Sequence, residues 1–385
     1  MSLTIGLSGV NRRASRIAVA ALFFLAGLCF SSWASRIPDI QRQLGLNDAE
    51  LGGVLLALPC GLLVSLPVAG IVVSKFGSRV IVITAGILYG CCLPLLGLAD
   101  STWQLVSGLF LFGFCGNMVN ISINTQAVGV EALYGRTIMA SFHGVWSLAG
   151  FTGAAIGSLM ISSGIIPFQH FYIITGIALL IVLIASRYTL PVDTNKQEKT
   201  PLFARPDKSI LKLGIIAFCC MTCEGAMFDW SGVYFLKVVE VDQKLIALGY
   251  TAFMFSMASG RFVADWLTTR LGIKKILQIS GLVIAGGLGL SVLFPYLVTA
   301  IIGFLLVGFG VSSVVPLVYS AAGRSARLSP GVALAAVSTI GYLGFLFGPP
   351  FIGFIAEAVN LRLSFILIAL LGLTTTYIAS KTTIS

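Results

Sequence analysis

Residues 212–237 read KLGIIAFCCMTCEGAMFDWSGVYFLK, an apolar run with a lysine at each end. A helix needs about 20 apolar residues to cross the hydrocarbon core of a bilayer, so this run is long enough to span it. The run contains two carboxylates, Glu224 near its midpoint and Asp229 further along. A carboxylate at bilayer depth costs several kcal/mol unless it is neutral, paired or in contact with water. We therefore expect these residues to mark a functional site.

The composition of the whole chain is that of an integral membrane protein. Of its 385 residues, 57% are hydrophobic and 10% are charged, and the mean hydropathy is +1.00. A soluble domain carries about 25% charged residues. The net charge of +10 is compatible with nucleic-acid binding, but the positions of the charges fit membrane orientation instead, so no nucleic-acid partner is expected. All eight cysteines fall within apolar runs, and no disulfide framework is expected.

Twelve apolar segments follow one another along the chain, each long enough to cross a bilayer. They are 17–36, 49–73, 79–98, 102–129, 137–162, 166–186, 212–236, 246–268, 275–294, 297–320, 331–356 and 362–380. The polar stretch 187–211 divides them into two sets of six and is too short to bury a core. We predict an all-α integral membrane fold with 12 transmembrane helices in two pseudo-symmetric six-helix bundles, 1–186 and 212–385, joined by a linker at 187–211.

The distribution of Lys and Arg predicts the orientation in the bilayer. With the N-terminus inside, eighteen of these residues lie on cytoplasmic tails and loops, and five lie on the opposite side. Cytoplasmic loops of membrane proteins carry the excess of positive charge. Both termini and the linker are therefore predicted to be cytoplasmic.

The two halves of the sequence repeat one another. SKFGSR at 74–79 follows the second segment, and TRLGIK at 269–274 follows the eighth, an offset of 195 residues. At the same offset, Gly153 in the fifth segment matches Gly348 in the eleventh. Repeated halves joined by a cytoplasmic linker are the plan of many secondary transporters.

These features resemble the major facilitator superfamily over essentially the whole chain. Its signature G-x-x-x-D-R-x-G-R-[KR] is matched after the second segment by Gly70, Lys75, Gly77 and Arg79, with Ser74 where the family has Asp. The resemblance implies two six-helix halves that rock about a central solute site. It also implies that the signature residues latch the cytoplasmic ends of neighbouring helices during alternating access.

The second copy of the signature is less complete. Arg270 and Gly272 occupy matching positions, and Asp265 lies one helical turn earlier, with Arg261 four residues before it. All four are candidate gating residues by the same resemblance.

Three further stretches resemble one group within the superfamily. SSWASRIPDIQ at 31–41, ASFHGVWS at 140–147 and EGAMFDWSGVYF at 224–235 are similar to the fucose-permease-like and YbjJ-like permeases of the bacterial inner membrane. This resemblance implies a multi-pass protein of the bacterial cytoplasmic membrane that works as a monomer in the lipid bilayer.

The carboxylates of the seventh segment are the first candidates for proton coupling. A proton-coupled carrier needs a carboxyl group that can load and release a proton near neutral pH, and we assign this role to Glu224. The alternative is a carboxyl group that bonds a neighbouring helix and never titrates. Asp229 lies about 140° around the helix from Glu224, and either lines a vestibule or bonds another helix. Trp230 and Tyr234 share a stripe that either stacks on a solute ring or packs at the membrane interface.

The fourth segment carries a row of amides. Asn117, Asn120 and Asn124 stand at i, i+3 and i+7, so they share one helix face, which Glu131 continues. Amides facing lipid are costly, so this face must contact protein or water. We predict that these residues bind a solute with several hydroxyl groups. The alternative is hydrogen bonding between helices, worth about 0.6 kcal/mol per bond.

The fifth segment adds His143 and, one turn on, Trp146. Histidine has a reference pKa of about 6.5, so His143 is a candidate proton relay or solute ligand, with a structural hydrogen bond as the alternative. Trp146 is a candidate solute contact. His170 receives no role. Arg36 and Asp39, at the end of the first segment, are interpreted as a helix-end ion pair rather than a gate.

Other classes of protein are disfavoured. The cysteines of the seventh segment have no histidine nearby, so no metal site is expected, and no Walker-type loop indicates ATP drive. No soluble catalytic domain is predicted, so the chain is expected to be neither an enzyme nor a cofactor-binding protein. The leading hypothesis is proton-coupled transport of a small polar, sugar-like solute. The alternatives are proton-antiport efflux of an amphipathic compound and, less favoured, a transport-dead membrane sensor.

Overall fold

The computed structural model describes residues 11–135, 138–193, 208–324 and 330–382; the side chains of residues 265, 330 and 331 lie outside this description. Helices account for nearly all of the described residues, which include no β-strand. Polar caps fix several helix starts. Asn11 caps the first helix, and Asn47 forms a reciprocal capping box with Glu50.

The first half of the chain forms eight helices that correspond to the first six predicted segments. They are α1 (Arg12–Ser35), α2 (Ile37–Leu44), α3 (Asp48–Leu55), α4 (Ala57–Phe76), α5 (Ser78–Gly97), α6 (Thr102–Tyr134), α7 (Met139–Ser162) and α8 (Pro167–Ala185). The short α2 is a connection, and α3 and α4 together make one span of 29 residues.

The second half forms seven α-helices for the remaining six segments. They are α9 (Lys208–Lys237), α10 (Leu248–Leu271), α11 (Ile273–Leu293), α12 (Leu297–Val311), α13 (Val314–Gly323), α14 (Pro330–Ala358) and α15 (Leu361–Ser380). α12 and α13 together make one span of 27 residues. α14 continues as one helix through Pro349 and Pro350.

Within the described residues, eleven helices or helix pairs are long and apolar enough to cross a membrane. The twelfth predicted segment corresponds to α10, which at 24 residues has the length of a span but carries Arg261, Asp265 and Arg270. These charges reduce its apolar character without changing its helical geometry. The predicted all-α fold of twelve membrane-spanning segments is confirmed.

The described chain separates into two compact units. One contains Met1–Leu44 and Ala57–Glu198, and the other contains Gly45–Leu56 and Lys199–Ser385. The segment 45–56, which the linear order of the sequence would keep with the first bundle, thus groups with the C-terminal helices. The division falls at Leu56, between α3 and α4, where Pro59 has no backbone N–H to donate to the carbonyl of Leu55.

Specific contacts explain why α3 belongs to the second unit. Lys237 Nζ lies 2.6 Å from Asp48 Oδ1, and the backbone N–H of Asp48 donates to Glu357 Oε2 at 3.1 Å. The backbones of α3 and α14 also touch. A methyl group added to Gly52 would lie 2.8 Å from the carbonyl oxygen of Pro349, and one added to Gly353 would collide with the carbonyl oxygen of Asp48.

The internal repeat appears as equivalent helix packing in the two units. α7 packs on α1, where a methyl group at Gly153 would lie 2.9 Å from Ser31 Cβ and 3.0 Å from the carbonyl oxygen of Leu28. α14 packs on α9 in the same way, with Gly348 facing Thr222. Small residues at these positions let the helix backbones approach closely, as membrane helices require.

Candidate functional site

The ionisable residues Glu224 and Arg261 meet inside the second unit. An Nη2 atom of Arg261 in α10 lies 3.8 Å from Oε1 of Glu224 near the middle of α9. The side chains are 24% and 10% exposed, respectively. Within membrane-spanning helices an uncompensated charge is costly, and this pair compensates both charges. The sequence singled out both residues separately, Arg261 as a candidate gating residue, and the structure brings Arg261 to Glu224.

Two tyrosines extend the site. Tyr319 of α13 hydrogen-bonds Ser338 of α14, and Tyr342 follows one turn later on α14. The charge of Glu224 acts on both tyrosine side chains, which also interact electrostatically with each other. We call Glu224, Arg261, Tyr319, Ser338 and Tyr342 the Glu224 cluster. It combines one acid, one guanidinium and three hydroxyl groups from four helices.

Close helix approaches bring the members of the Glu224 cluster together. A methyl group at Gly260 would lie 2.9 Å from Ser312 Cβ, so α10 approaches the junction of α12 and α13 immediately beside Arg261. On the other side, a methyl group at Gly344 would lie 2.7 Å from the carbonyl oxygen of Phe218, so α14 lies against α9. Glycines therefore set the short helix separations across which the polar side chains meet.

Asp229 has a different environment from Glu224. Its side chain is half-buried, and it has no hydrogen-bond or ion-pair partner among the described residues. The neighbouring Phe228 stacks on Phe345 of α14, with ring centroids 6.3 Å apart and an angle of 8° between the planes. Asp229 is therefore a half-buried carboxyl group without a polar partner among the described residues, and its predicted role in proton coupling stays a prediction.

Trp230 and Tyr234 are buried in the helix packing of the second unit. Both side chains are fully buried, and the Tyr234 hydroxyl donates to the carbonyl oxygen of Ser291 at 2.9 Å. The Tyr234 ring stacks on Phe365, with centroids 4.3 Å apart. This placement favours the packing alternative over stacking on a solute.

The three asparagines of α6 divide into two groups. Asn117 is buried and donates to Ser65 Oγ of α4 at 2.6 Å and to the carbonyl oxygen of Leu62 at 3.3 Å. It therefore serves the helix–helix hydrogen bond that the sequence left as the alternative. Asn120 is exposed and accepts at Oδ1 from the side-chain amide of Asn124 at 3.0 Å. Asn120 is thus exposed and Asn124 half-buried, and their predicted role in solute binding stays a prediction.

Glu131, which continues the amide face of α6, contacts the start of α7. Glu131 Oε2 accepts from the backbone N–H groups of Ile138 and Met139 at 2.7 and 2.9 Å, which links the end of α6 to the start of α7.

His143 of α7 is exposed, and its ring packs against the ring of Phe23 in a T-shaped arrangement with a centroid distance of 5.3 Å. Trp146 is half-buried on the same helix. His143 thus stays reachable for a proton or a solute.

Sequence reasoning missed the role of His170. This residue is fully buried, and its Nδ1 accepts from Nε of Arg36 at 3.2 Å. Arg36 also donates to Asp39 Oδ2 and to the carbonyl oxygen of Ile165, both at 2.8 Å. The interpretation of Arg36 and Asp39 as an ion pair was incomplete, because the guanidinium joins α1 and α2 to the start of α8. Its partners were hidden by their distance along the chain.

The first signature loop is held by the end of α8 and the start of the linker. Gly77 has φ of 84°, which only glycine adopts without strain, and Ser78 begins α5. Asp193 accepts from the backbone N–H of Ser78 at 2.8 Å and also from its hydroxyl group. Arg79 donates to the carbonyl oxygen of Ser186 at 2.9 Å. A carboxylate from residue 193 thus lies at the helix start, although Ser74 replaces the signature Asp.

The other predicted gating residues lie in or next to α4 and α10. Lys75 lies over the ring of Phe76 at 5.2 Å, and Gly70 lies within α4. In the second copy, Gly272 has φ of 78°, as Gly77 has at the matching position. Arg270 stacks over Trp266 at 4.4 Å. The side chain of Asp265 lies outside the described residues.

Comparison with known proteins identifies the family. The model of the Major Facilitator Superfamily matches residues 19–332. An MFS-type transporter of Yersinia pestis is 34% identical over 93% of this chain and 93% of its own length. Membrane protein MosC of Rhizobium meliloti is 33% identical over 92% of this chain and 87% of its own length.

Solved structures show the same fold at low sequence identity. A variant of the nucleoside transporter NupG is similar with a TM-score of 0.79 and 14% identity, covering 95% of this chain and 99% of its own. A variant of the fucose:proton symporter FucP of E. coli is similar with a TM-score of 0.62 and 18% identity, covering 96% and 98%. The resemblance predicted from the signature residues is confirmed. The chain belongs to the Major Facilitator Superfamily, a family of membrane transporters rather than enzymes.

Proposed function

We propose that this protein couples the transport of a small polar, hydroxylated solute to protons, by alternating access across the bacterial cytoplasmic membrane with both termini inside. Secondary transport of a small solute follows from the family. The observation that carries the proton coupling is the Glu224–Arg261 pair inside the second unit. A monomer in the bilayer is sufficient for this mechanism.

The pair is better explained by function than by stability. Desolvating two charges costs several kcal/mol per ion, and replacement of a buried pair by apolar residues is often neutral or stabilising. Ionisable groups in membrane spans accordingly tend to mark proton and solute pathways. Glu224 can change its charge, whereas Arg261 keeps its charge at every physiological pH. Glu224 is therefore assigned the coupling proton, with Asp229 and His143 as further candidate proton sites.

The polarity of the accessible side chains supports a hydroxylated solute. Asn120 and Asn124 offer amide donors and acceptors in the first unit, and Tyr319 and Tyr342 offer hydroxyl groups in the second. Such groups match a solute with several hydroxyls, because each can both donate and accept a hydrogen bond.

One observation favours the second candidate, efflux of an amphipathic compound by proton antiport. The rings of Phe228 and Phe345 stack on each other, and Phe228 directly precedes Asp229 in α9. Stacked rings favour a hydrophobic cation, since rings attract cations by cation–π interaction, and Asp229 on the same helix offers a carboxyl group of opposite charge. The direction of proton movement distinguishes the two candidate functions. In symport the protons move in the same direction as the solute, whereas in antiport they move in the opposite direction.

Glu224→Gln is expected to abolish solute-driven proton movement. Purified protein in liposomes with an internal pH dye would be challenged with sugars, polyols, sugar acids, nucleosides and hydrophobic cations. The wild type should acidify the lumen with one solute class, whereas Glu224→Gln should not, although it should still exchange labelled solute. Glu240→Gln makes the same chemical change at an exposed loop position and should behave as the wild type. Proton movement that persists in Glu224→Gln would contradict the assignment.

Asn120→Ala is expected to change solute binding, whereas Asn117→Ala is expected to change protein stability. Asn120 is exposed, so its loss should weaken solute binding by about tenfold and leave the unfolding midpoint unchanged. Asn117 holds α6 to α4, so its loss should lower the stability by about 1 kcal/mol and leave the affinity unchanged. Titration calorimetry and thermal unfolding of the two variants test this directly. Equal effects on affinity would show that all three amides act as one binding face.

A further inference from the structure

We propose that the second unit binds a phosphate-bearing ligand in a basic cavity at the turn between α10 and α11, which we call the α11 cavity. Its volume is about 890 Å³, and small-molecule sites usually measure about 300–1,000 Å³. None of its lining residues belongs to the Glu224 cluster, so the site is additional to the proposed transport function. The polar lining includes three cationic side chains, two hydroxyl groups and an amide: Lys274, Lys275, Arg324, Thr268, Ser320 and Gln278.

The charge of the α11 cavity selects an anion. Lys274 and Lys275 come from the first turn of α11, and Arg324 directly follows α13, so two separate elements supply the positive charge. Within the described part of the chain, none of these three side chains has a hydrogen-bond or ion-pair partner, and the lining includes no carboxylate. Cations that share one cavity repel one another. A ligand with more than one negative charge therefore stabilises the arrangement.

The start of α11 adds backbone donors to this site. α11 begins at Ile273, its N-cap residue Gly272 makes no side-chain hydrogen bond, and its first turn holds no acidic residue. The first N–H groups of a helix carry partial positive charge and attract anions, whereas cations are unfavourable beside them. An anion in the α11 cavity would accept from these N–H groups and also neutralise the two lysines of the first turn.

The internal repeat shows what this kind of helix start binds. Gly77 and Gly272, 195 residues apart, have nearly the same backbone conformation, with φ of 84° and 78° and ψ of 149° and 154°. In the first unit, the Asp193 carboxylate accepts from the backbone N–H of Ser78 and would lie 3.9 Å from a methyl group added at Gly77. In the second unit, no described atom lies within 4 Å of a methyl group added at Gly272. The helix start that meets a carboxylate in one unit thus adjoins the α11 cavity in the other.

The residues that differ between the repeats explain why only the second unit has this basic cavity. Gln126 donates to Ser78 Oγ at 2.7 Å and pairs with both backbone groups of Leu190, so the chain itself covers the first helix start. At the offset of 195 residues, Gln126, Val80 and Gly129 correspond to Ala321, Lys275 and Arg324. The second half thus loses the amide and gains two cations. The positive-inside rule accounts for cations at this end of the helices, but not for their convergence on one cavity.

A phosphate group matches these features and has two possible sources. Lysine and arginine are common phosphate ligands, and helix starts bind phosphate through their backbone N–H groups. One source is the headgroup of an anionic phospholipid, because basic pockets between membrane helices bind such headgroups on the cytoplasmic side, where the predicted orientation places this turn. The other source is a soluble phosphate ester or free phosphate.

Binding to the full-length protein tests the inference and separates the two sources. Delipidated protein in detergent would be titrated with dioctanoyl phosphatidylglycerol, glucose 6-phosphate and inorganic phosphate, with dioctanoylglycerol and glucose as matched compounds that lack phosphate. Native mass spectrometry measures binding, and the thermal unfolding midpoint should rise with the ligand. A phosphate compound should bind about tenfold or more tightly than its matched compound. Binding of the lipid alone assigns the site to a membrane lipid, and binding of either soluble compound assigns it to soluble phosphates. Binding of none of the three would overturn the inference.

Neutralising the cavity locates the binding. The combined variant Lys274→Gln, Lys275→Gln and Arg324→Gln should lower the affinity by about tenfold or more. The matched control removes three exposed cations of the same unit outside the cavity and should bind as the wild type: Lys208→Gln, Lys244→Gln and Arg362→Gln. Equal losses in the two triple variants would show an effect of net charge alone, and unchanged affinity in the cavity variant would place the binding elsewhere. Either result would overturn the inference.

A carboxylate added to the cavity makes the opposite change. Gln278→Glu keeps the side-chain shape and supplies a negative charge, as Asp193 does at the first helix start. It should lose phosphate binding and unfold at a higher temperature than the wild type without ligand. Gln243→Glu makes the same change at an exposed position outside the cavity and should alter neither property. Retained binding in Gln278→Glu would contradict the site even if the triple variant fails to fold. The proton coupling is tested separately by Glu224→Gln, which should keep this phosphate binding.

Discussion

Arg36→Met is expected to lower the stability of the first unit by about 3 kcal/mol. The guanidinium is 2% exposed and donates to Asp39, His170 and the carbonyl oxygen of Ile165, so its removal leaves buried acceptors without their donor. Methionine retains much of the side-chain length, which limits the effect of a new cavity. The measurement is the thermal unfolding midpoint in detergent, which should fall by several degrees.

Arg42→Met is the matched control for this prediction. Arg42 also pairs with Asp39, but its side chain is 40% exposed, and exposed ion pairs contribute about 0–1 kcal/mol. His170→Phe keeps a ring of similar shape and removes the acceptor, so it should cost about 1 kcal/mol and be non-additive with Arg36→Met. Equal midpoints for the Arg36 and Arg42 variants would show that the buried network does not support the unit.

Gly353→Leu is expected to separate α3 from α14. Even a methyl group at this position collides with the carbonyl oxygen of Asp48, and a leucine adds three more carbon atoms to that collision. Because backbone atoms cannot turn aside as a flexible side chain can, the segment 45–56 must move away and the Asp48–Lys237 ion pair must break. Transport should therefore fall by about tenfold or more in this variant.

A cross-link reports on this contact directly. Asp48→Cys with Lys237→Cys, in a background where the eight native cysteines are replaced, should be joined by a short bis-maleimide reagent, which spans the gap left by the long lysine side chain whose Nζ lies 2.6 Å from Asp48 Oδ1. Adding Gly353→Leu should reduce the yield by about tenfold. Gly289→Leu is the control, since no atom lies within 4 Å of a methyl group added there. An unchanged cross-link in the Gly353 variant would show that α3 does not need this close approach.

The membrane spans follow from the sequence because their cause is local. The thickness of the bilayer sets the length of each apolar run, and a helix satisfies its own backbone hydrogen bonds within the segment. The described helices accordingly begin and end within a few residues of most predicted segments. Gly77 and Gly272 stood out in the sequence as the repeated glycine of the signature loops, and the structure gives both a positive φ.

Only some residues of the Glu224 cluster could be predicted from the sequence. Glu224 stands out because a carboxylate within an apolar run violates the pattern around it. Its pairing with Arg261 could not be predicted from the sequence, because Arg261 lies in the next helix and the 3.8 Å approach depends on how α9 and α10 cross. Tyr319 only added some polarity to its segment and Tyr342 carried no signal in the sequence, and the packing of α13 and α14 brings both under the influence of the same charge.

The structure also separated residues that look alike in the sequence. Asn117 and Asn120 share a face of α6 by their spacing, yet one bonds Ser65 and the other is exposed, since a neighbouring helix covers only part of that face. His170, to which the sequence gave no role, is buried in a hydrogen bond with Arg36, because burial depends on a partner from elsewhere in the chain, whereas the predicted role of His143 stays a prediction.

By itself, the sequence determined the helical class, the twelve spans, the internal repeat and the presence of an ionisable site in the seventh segment. These are properties of single segments, and hydropathy and periodicity encode them directly. Only the tertiary structure decided that Arg261 is the partner of Glu224, that Arg36 joins three helices, and that residues 45–56 belong with the C-terminal helices. Those outcomes depend on which helix faces meet, and helix contacts between distant residues are set by small side chains and close backbone approaches that no single segment reveals.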